Sequence, residues 1–443
     1  MKAIAFFLPQ YHPIPENDEW WGKGFTEWNN VVNAKPQFPG HYQPHLPGEL
    51  GFYDLRLPEV RKAQADLARE HGIHGFCYYH YWFNGKLLLE KPLHDMLASG
   101  EPDFPFCLCW ANEPWTRAWD GRTGHVLAEQ HYGEEDDRQH IRYLSQFFHD
   151  KRYIRVNGKP LLLIYRAHHM PDPQKAAEAM RDEARNIGIG EIYLCRVESF
   201  SNEHTHPSTI GFDSAVEFQP DWTRIGKKSS NPVYGDHAVH GYEEMVNRMI
   251  AKKRPSYKRF PCVTPAWDNS SRRKTHATIF TGSTPQLYEK WLSNAIRRAG
   301  IDNPDDRIVF INAWNEWGEG SHLEPDQVHG RAYLEATKSA IDNQGKILDQ
   351  YDVSTSADSH NPLDQQLAEH ERKIAERDKA LVDRERQIAD RDHLLVERDQ
   401  LMSEKDQLLV EREQRIQELL DSASWRITKP LRKGFDILMT KKK

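Results

Sequence analysis

Short apolar runs alternate with amphipathic stretches along the first 345 residues of the chain. Eight of these runs have the length and the β-branched or aromatic content of buried strands; they cover residues 3–8, 75–79, 106–110, 161–165, 192–197, 214–218, 262–266 and 308–313. Apolar positions between most of them follow helical spacing, which predicts helices at residues 56–71, 87–97, 136–148, 173–186, 242–251 and 285–299. Eight strand-then-helix repeats predict an α/β fold, a closed (β/α)8 TIM-like barrel spanning residues 1–350. We also expect a hairpin at residues 153–165, because Asn157-Gly158 suits a type I′ turn.

The pattern changes after the predicted barrel. Residues 351–362 are polar and predict a linker. Residues 363–421 form a charged stretch in which apolar residues recur every seven positions, at Leu367, Ile374, Leu381, Ile388, Leu395, Met402, Leu409 and Ile416. Such a heptad predicts a coiled-coil helix. The second seam position is charged, however, so the assembly could be a monomer or a homo- or hetero-oligomer.

The last segment, residues 422–443, mixes apolar and basic side chains. Trp425 and Phe435 stand among Arg426, Lys429 and a terminal run of lysines. Basic amphipathic segments of this kind are typical of membrane-surface anchors; a frayed tail with incidental lysines is the alternative. No apolar run approaches the roughly 20 residues that span a bilayer, and Met1-Lys2 leads directly into the first predicted strand rather than into a signal peptide. We therefore expect a cytoplasmic protein that is peripheral at the inner face of the plasma membrane.

Composition excludes some classes of function. A formal net charge of −7 over 443 residues gives no global argument for a nucleic-acid partner. The five cysteines lie inside apolar runs and are odd in number, which favours reduced, buried thiols; they are Cys77, Cys107, Cys109, Cys195 and Cys262. The 23 histidines form no His-Glu-x-x-His motif, and no Walker loop is present. We expect no metal and no cofactor.

Polar and aromatic residues follow each predicted strand. In a barrel of this kind the chemistry gathers where the strands end, so we take these residues as candidate substrate contacts: Gln10, Tyr11, His12, Trp28, Tyr79, His80, Trp82, Asn112, Glu113, Trp115, Arg166, Glu198, Glu217, Trp267, Trp314, Asn315, Trp317 and Glu324. Each tryptophan taken singly is more often a core residue than a sugar-stacking platform.

Glu316 and Glu319 follow the eighth predicted strand and are the candidate catalytic pair. Cleavage of a glycosidic bond needs one carboxylic acid to protonate the leaving oxygen and a second carboxylate to act as base or nucleophile. Two glutamates three residues apart on a turn can converge on one cleft. A tryptophan-rich core turn with solvated glutamates is the alternative interpretation. The separation of the two carboxylates, and with it inversion or retention of configuration, is not set by the spacing.

Several long motifs resemble those of WbsX-type proteins from bacterial polysaccharide gene clusters. They are Phe7-Leu-Pro-Gln-Tyr-His-Pro-Ile-Pro-Glu-Asn-Asp18, Trp20-Trp-Gly-Lys-Gly-Phe-Thr-Glu-Trp28, Pro44-His45, Tyr78-Tyr-His-Tyr-Trp82 and Cys109-Trp-Ala-Asn-Glu-Pro-Trp115. These proteins are related to glycoside hydrolase family 99, the endo-α-mannosidases, and the resemblance covers about residues 2–345. The family 99 signature Asn-Glu-Trp-x-Glu-Gly is present as Asn315-Glu316-Trp317-Gly318-Glu319-Gly320.

The resemblance implies a (β/α)8 barrel that retains configuration. Carried onto this sequence, it makes Glu316 the base that deprotonates the sugar 2-OH, giving a 1,2-anhydro intermediate. It makes Glu319 the acid that protonates the leaving group and later activates water or an acceptor. The segment Ser422–Arg432 also resembles an ending found on bacterial glycosyltransferases and chain-length-control enzymes of O-polysaccharide assembly. Together these resemblances imply an oligosaccharide or lipid-linked glycan substrate in lipopolysaccharide O-antigen or other cell-surface polysaccharide biosynthesis.

Two other functions remain open at this point. WbsX-type proteins are commonly described as glycosyltransferases, and Pro304-Asp-Asp306 offers a weak DxD-like sequence for a nucleotide-sugar-dependent reaction. The barrel could also be a non-catalytic glycan-binding domain or a membrane scaffold.

Overall fold

A computed structural model of the chain describes residues 1–343, except for 118–121, 201–202 and 303–306, together with the three isolated positions Arg412, Glu418 and Thr428. Apart from those positions, the predicted linker, coiled-coil helix and C-terminal tail lie outside the described residues. The DxD-like sequence at 304–306 also lies outside them.

Eight parallel strands form a closed barrel, as the sequence predicts. Their bounds in chain order are β1 Lys2–Phe7, β2 Ile73–Phe83, β3 Phe106–Trp110, β4 Lys159–Ile164, β5 Tyr193–Glu198, β6 Ser214–Glu217, β7 in two pieces (Arg259–Phe260 and Cys262–Val263) and β8 Ile308–Ile311. Each strand pairs with the next in parallel, and β1 pairs with β8 through Lys2↔Ile308 to Ala5↔Ile311. The predicted (β/α)8 architecture is confirmed.

The seventh strand completes the barrel in two pieces. Arg259–Phe260 pairs with β6, and Cys262–Val263 pairs with β8. Pro261 stands between them and has no N–H to donate to a ladder, although its carbonyl accepts from Phe310 N at 2.8 Å. The seventh strand therefore begins and also ends earlier in the chain than the strand predicted at residues 262–266.

Nine helices lie along the described part of the chain. They are α1 Pro15–Trp21, α2 Trp28–Asn33, α3 Pro58–Glu70, α4 Lys91–Ser99, α5 Glu134–Phe148, α6 Pro173–Asn186, α7 Tyr242–Ile250, α8 Pro285–Asp302 and α9 Ala332–Asp342. Five of the six predicted helices agree within a few residues. The predicted helix 87–97 begins only at Lys91, because Lys86–Leu88 instead pairs antiparallel with the end of β2. The sequence analysis did not assign α1, α2 and α9.

Short strand pairs extend the loops beyond the carboxyl ends of the barrel strands. Trp115–Arg117 pairs with Arg122–Ala128, and Ala238–Gly241 pairs with Thr278–Thr281. The predicted hairpin before β4 is confirmed, with Asn157 at φ 50° and Gly158 at φ 76° as a type I′ turn requires.

The barrel interior is filled with side chains rather than open. Phe6 packs against Phe218 and Phe310, with ring centroids 5.2 and 5.5 Å apart, and against Tyr79 at 5.7 Å. This aromatic layer closes the barrel beneath its carboxyl end, so any ligand site must lie above it. All five cysteines are free and buried, as expected. Among the residues described, no helix combines the length and apolar character needed to cross a bilayer.

Candidate active site

A cleft of about 600 Å³ opens at the carboxyl end of the barrel. Eight of the residues predicted from the sequence line it: Gln10, Tyr79, Glu113, Trp115, Arg166, Trp267, Glu316 and Glu319. Seven of them come from the segments that follow five of the barrel strands, and Tyr79 lies in the last part of β2; the carboxyl ends of the strands are where this architecture gathers ligand-binding groups.

A small hairpin after β8 presents the two candidate catalytic glutamates. Asn315–Glu316 pairs antiparallel with Ser321–His322, and the turn Trp317–Glu319 joins the two. The Asn315 side chain accepts a hydrogen bond from Leu8 N at 2.7 Å and donates one to Leu8 O at 3.0 Å. The hairpin is thereby fixed to the chain that leaves β1.

Arg272 joins both glutamates to a third carboxylate. Its guanidinium donates to Glu316 Oε2 at 2.9 Å, lies 2.8 Å from Glu319 Oε1, and donates from Nε to Glu27 Oε1 at 2.7 Å. The Glu27 side chain is 0% exposed and that of Glu316 6%, whereas that of Glu319 is 23% exposed. Glu319 is therefore the member of the pair that solvent or an acceptor can reach most easily.

Burial and the three neighbouring carboxylates disfavour full ionisation of the pair, despite the Arg272 guanidinium between them. Burial raises the pKa of Glu316 to about 8, reinforced by the Glu319 and Glu27 charges and opposed by Arg272. Burial and Glu27 also raise the pKa of Glu319 against the opposing effect of Arg272. Because the two groups share their surroundings, they titrate as a unit. A pair that holds a single proton supplies one acid and one base.

Gly318 is required by the close packing of this turn. A Cβ at this position would lie 2.0 Å from Glu27 Oε1 and 2.7 Å from Arg272 Nε. The absence of a side chain thus lets the turn approach the carboxylate and guanidinium directly.

A buried layer behind the hairpin holds it in position. Glu324 accepts from Tyr53 Oη and Trp317 Nε1, both at 2.7 Å, and from Gln64 Nε2 at 2.7 Å. Tyr11 donates to the Asn315 carbonyl at 2.6 Å. Six predicted substrate contacts lie in or beside this layer rather than in the cleft: Tyr11, Trp28, Trp314, Asn315, Trp317 and Glu324. Their placement makes them supports of the hairpin from behind, and they do not line the cleft.

Two predicted contacts on β2 face away from the cleft. Side chains alternate between the two faces of a strand, so Tyr79 and Tyr81 line the cleft while His80 and Trp82 point outward. Trp82 stacks on His140 of α5 with ring centroids 4.9 Å apart, and His80 Nε2 lies 2.9 Å from His140 Nε2. His80 and Trp82 were predicted as contacts and Tyr81 was not, although the alternation of side chains along a strand places Tyr81 on the same face as Tyr79.

Glu198 and Glu217 belong to a buried ionic cluster outside the cleft lining. Glu198 lies 2.6 Å from Arg196, and Glu217 lies 2.9 Å from both Lys252 and Arg259. Although burial alone raises the pKa of Glu217, these cations hold it down at about 2. The protein itself therefore neutralises both carboxylates, and these two predicted substrate contacts lie outside the cleft lining.

Asn112 positions Arg166 at the cleft. Its side chain accepts a hydrogen bond from Arg166 N at 2.7 Å and donates one to Arg166 O at 2.9 Å. The guanidinium donates to Glu113 Oε1 at 3.1 Å and stacks over Tyr165 at 4.0 Å. Asn112 thus positions a cleft residue without lining the cleft. His12 is likewise buried outside the cleft lining.

Several cleft residues were not selected from the sequence. The main one is Arg272, which follows Trp267 after β7 and is 44 residues from Glu316 in sequence. The basic pair Arg272-Arg273 in a loop after a barrel strand was the available signal. Five further aromatic residues line the cleft, Tyr81, Tyr165, Phe200, Phe218 and Trp222, and Trp21 of the Trp20–Trp28 motif lines it as well.

Solved structures with a similar fold include two of the glycoside hydrolase family 99 endo-α-mannosidase from Bacteroides thetaiotaomicron. One, in complex with bis-tris-propane, is 17% identical with a TM-score of 0.51; the other is 16% identical with a TM-score of 0.50. Each alignment covers 78% of this chain and 98% of the other chain. A glycoside hydrolase-like protein is 15% identical with a TM-score of 0.50, covering 76% of this chain and 93% of that chain. These likenesses show the fold.

Sequence relatives and a family model give the family. The Xanthomonas campestris pv. campestris protein described as "Uncharacterized protein WxcX", from strain B100 and from a second strain, is 46% identical over 345 residues. The match covers 76% of this chain and 49% of the relatives, so the chain spans about half the length of those relatives. The family model described as "Glycosyltransferase WbsX" matches residues 3–337. Since that match extends over the barrel and the hairpin that carries Glu316 and Glu319, the chain belongs to the WbsX glycosyltransferase family.

Proposed function

We propose that this protein breaks, forms or transfers a glycosidic bond, with Glu316 and Glu319 as its acid/base pair. The observation that carries the proposal is the buried pair held by Arg272 at the carboxyl end of a barrel. Glycosidic chemistry needs two carboxyl groups in opposite protonation states. Burial raises the pKa of both groups, which favours retention of a proton by the pair.

The resemblance to glycoside hydrolase family 99 gives the division of roles. It makes Glu316 the base that removes the proton of the sugar 2-OH while O2 attacks C1 and the bond to the leaving oxygen breaks, and the hydrogen bond from Arg272 at 2.9 Å stabilises the Glu316 carboxylate for that role. Glu319 is the more open, which suits an acid that protonates the departing oxygen. Its carboxylate then takes a proton from water or an acceptor hydroxyl that opens the 1,2-anhydro ring at C1, while Glu316 returns its proton to O2. Two displacements at C1 retain the configuration.

The cleft walls favour a carbohydrate as the substrate. Aromatic rings from several loops face it, including Trp115, Trp222 and Trp267, and they alternate with the polar groups of Gln10 and Arg166. Rings can stack on the C–H faces of a pyranose while the polar groups bond its hydroxyls.

We further propose that the substrate is an oligosaccharide or lipid-linked glycan of O-antigen or another cell-surface polysaccharide. The support is membership of the WbsX family together with the resemblance of the segment Ser422–Arg432 to endings found on O-polysaccharide enzymes. In this proposal residues 351–362 are a linker, residues 363–421 are a coiled-coil spacer whose charged seam joins further copies or other chains only weakly, and residues 422–443 are a basic anchor. The anchor would hold the barrel at the inner face of the plasma membrane.

The test is incubation of the full chain with oligosaccharides of the host polysaccharide, with and without a mixture of nucleotide sugars, followed by mass spectrometry. Shortened or rearranged chains without nucleotide sugars, absent with the Glu319→Gln variant, support the proposal. Growth by one sugar only with the nucleotide mixture contradicts the proposed mechanism.

A nucleotide-sugar-dependent transferase is the second candidate, and the description of the family as a glycosyltransferase favours it. A glycan-binding or scaffold barrel is the third candidate. Retained glycan binding without any mass change, both with and without nucleotide sugars, supports that function instead.

A further inference from the structure

A second cavity, of about 260 Å³, lies next to the active-site cleft. The two share Trp267 in their walls, and Asp268 and Gly320 line only the second cavity. Imidazole and carboxylate groups are concentrated in this cavity, contributed by His41, His45, Asp268, His322, Asp326 and His329. The acid/base chemistry of the proposed function uses none of these groups.

Three of the groups converge closely enough to share one ion. The ligand atoms of His45, His322 and Asp326 all lie within 4.8 Å of one another, and all three residues are buried. His45 Nδ1 and His322 Nε2 are 3.0 Å apart. Two imidazole nitrogens at about 2.0–2.1 Å from a common Zn²⁺ would subtend roughly 90–95° at that separation, an angle within the range of four- to six-coordinate sites.

The surroundings fix the ring of His322 in the form that a metal needs. His322 Nδ1 lies 3.0 Å from the Glu324 carbonyl oxygen and donates to it. The proton is therefore on Nδ1, and the Nε2 lone pair faces His45. Metal-binding histidines usually donate their second ring N–H to a carbonyl or carboxylate in this way. Asp326 is held in turn by Val328 N at 3.0 Å and His329 Nδ1 at 3.1 Å.

We propose that His45, His322 and Asp326 bind a divalent transition-metal ion of the zinc class. Two imidazoles and one carboxylate are a donor set that suits Zn²⁺, Co²⁺ or Ni²⁺. The site departs from the expectation of no metal. No short sequence motif contains these ligands, because His45 and His322 are 277 positions apart in the sequence.

The ion would stabilise the catalytic hairpin from its far side. His322 pairs with Asn315 across that hairpin, and its ring stacks on Trp317 with centroids 3.8 Å apart. His45 belongs to the long loop after β1. Coordination would therefore tie that loop to the strand that pairs with Glu316, and the ion itself takes no part in the reaction.

A neutral histidine pair joined by a hydrogen bond is the competing explanation, and the chain offers a matched control. His80 and His140 are also buried, with their Nε2 atoms 2.9 Å apart. Among the residues that the structure describes, no third His, Cys, Asp or Glu completes a metal-binding group with that pair. The two pairs therefore differ in the presence of the carboxylate ligand.

The test uses the full chain, stripped with a chelator, dialysed and titrated with Zn²⁺ and separately with Co²⁺. We expect one equivalent of Zn²⁺ by elemental analysis, a Co²⁺ d–d absorption band, and a Zn²⁺-dependent rise in Tm. His45→Gln and Asp326→Asn should weaken Zn²⁺ binding at least about 100-fold, whereas His140→Gln should bind like the wild type.

If the variants misfold, X-ray absorption of the Zn²⁺-loaded wild type decides the question, since the proposal requires two imidazole ligands and oxygen donors. Failure of the wild type to bind either ion stoichiometrically overturns the proposal, as does binding that survives in both ligand variants. Metal stoichiometry is measured without substrate, so this result is separate from success or failure of the proposed glycosidic activity.

Discussion

At the scale of single residues, the central feature is a guanidinium that serves three carboxylates. Arg272 contacts Glu27, Glu316 and Glu319 within 2.7–2.9 Å. The two catalytic candidates, Glu316 and Glu319, were predicted from their motif. Arg272 and Glu27 were not predicted, because each lies far from that motif in the sequence. Spacing can identify neighbours on one turn but not a partner that only the barrel brings near.

Replacing Glu27 should shift the pH dependence of the reaction. The Glu27 charge raises the pKa of both Glu316 and Glu319, so Glu27→Gln should lower both. The alkaline limb of the kcat/KM profile, where the pair loses its last proton, should move down by about 0.5–1 pH unit. Glu49→Gln, which alters a surface carboxylate paired with Arg331, is the control. An unchanged limb would refute the electrostatic account.

Replacing Arg272 should act in the opposite direction. Arg272 lowers the pKa of Glu316 and Glu319, so Arg272→Gln should move the alkaline limb to higher pH. Leaving buried carboxylates unpaired should also cost about 3–5 kcal/mol of unfolding free energy at neutral pH. Because the folded-state pKa values would then lie further above the unfolded value, the folded state binds more protons, and stability should recover as pH falls from 8 to 5. Denaturant titrations at both pH values measure this, and equal losses at the two would contradict it.

At the scale of elements, strand positions were predictable and local turns less so. The eight apolar runs identified all eight barrel strands, because each is buried on both faces. The extension of β2 to Phe83 and the short helices α1 and α2 were missed, since they depend on loop packing rather than on a repeating pattern. The spacing also did not reveal which face of a strand points into the cleft. His80 and Trp82 pack against α5 instead of facing the cleft.

The turn of the catalytic hairpin should not tolerate a side chain at position 318. Gly318→Ala would place a methyl group 2.0 Å from Glu27 Oε1, so the turn or the Arg272 network must shift. We expect kcat/KM to fall by about 100-fold or more, since displacements of about 1 Å can have that effect, together with a lower Tm. Gly133→Ala, where nothing lies within 4 Å of the added Cβ, is the matched control. Equal activity of the two variants would show that the turn adapts.

At the scale of the whole molecule, the structure describes the barrel, whereas the C-terminal elements are predicted from the sequence alone. The barrel and family are shown, whereas the linker, coiled coil and tail remain predictions from heptad and charge patterns.

Reversing three charges in the tail of the full chain (Lys429→Glu, Arg432→Glu and Lys433→Glu) should abolish co-sedimentation with anionic vesicles. Each basic residue near such a surface contributes about 1 kcal/mol, so binding should fall by more than about 100-fold.

Barrel-surface substitutions control for net charge in that experiment. Lys227, Lys228 and Lys274 are exposed on the barrel, and changing them to glutamate alters the net charge by the same amount. If the barrel variant loses vesicle binding and the tail variant keeps it, the anchor is misassigned.

The most direct test of the account is the turnover of Glu316→Gln and Glu319→Gln on a glycan that the wild type converts. Both variants keep the length of the side chain and one amide oxygen that can accept from Arg272, so each should fold, as circular dichroism and Tm can verify. We expect each variant to lose at least about 1,000-fold in kcat while retaining glycan binding. Wild-type turnover by either variant would contradict the assignment of Glu316 and Glu319 as the catalytic pair.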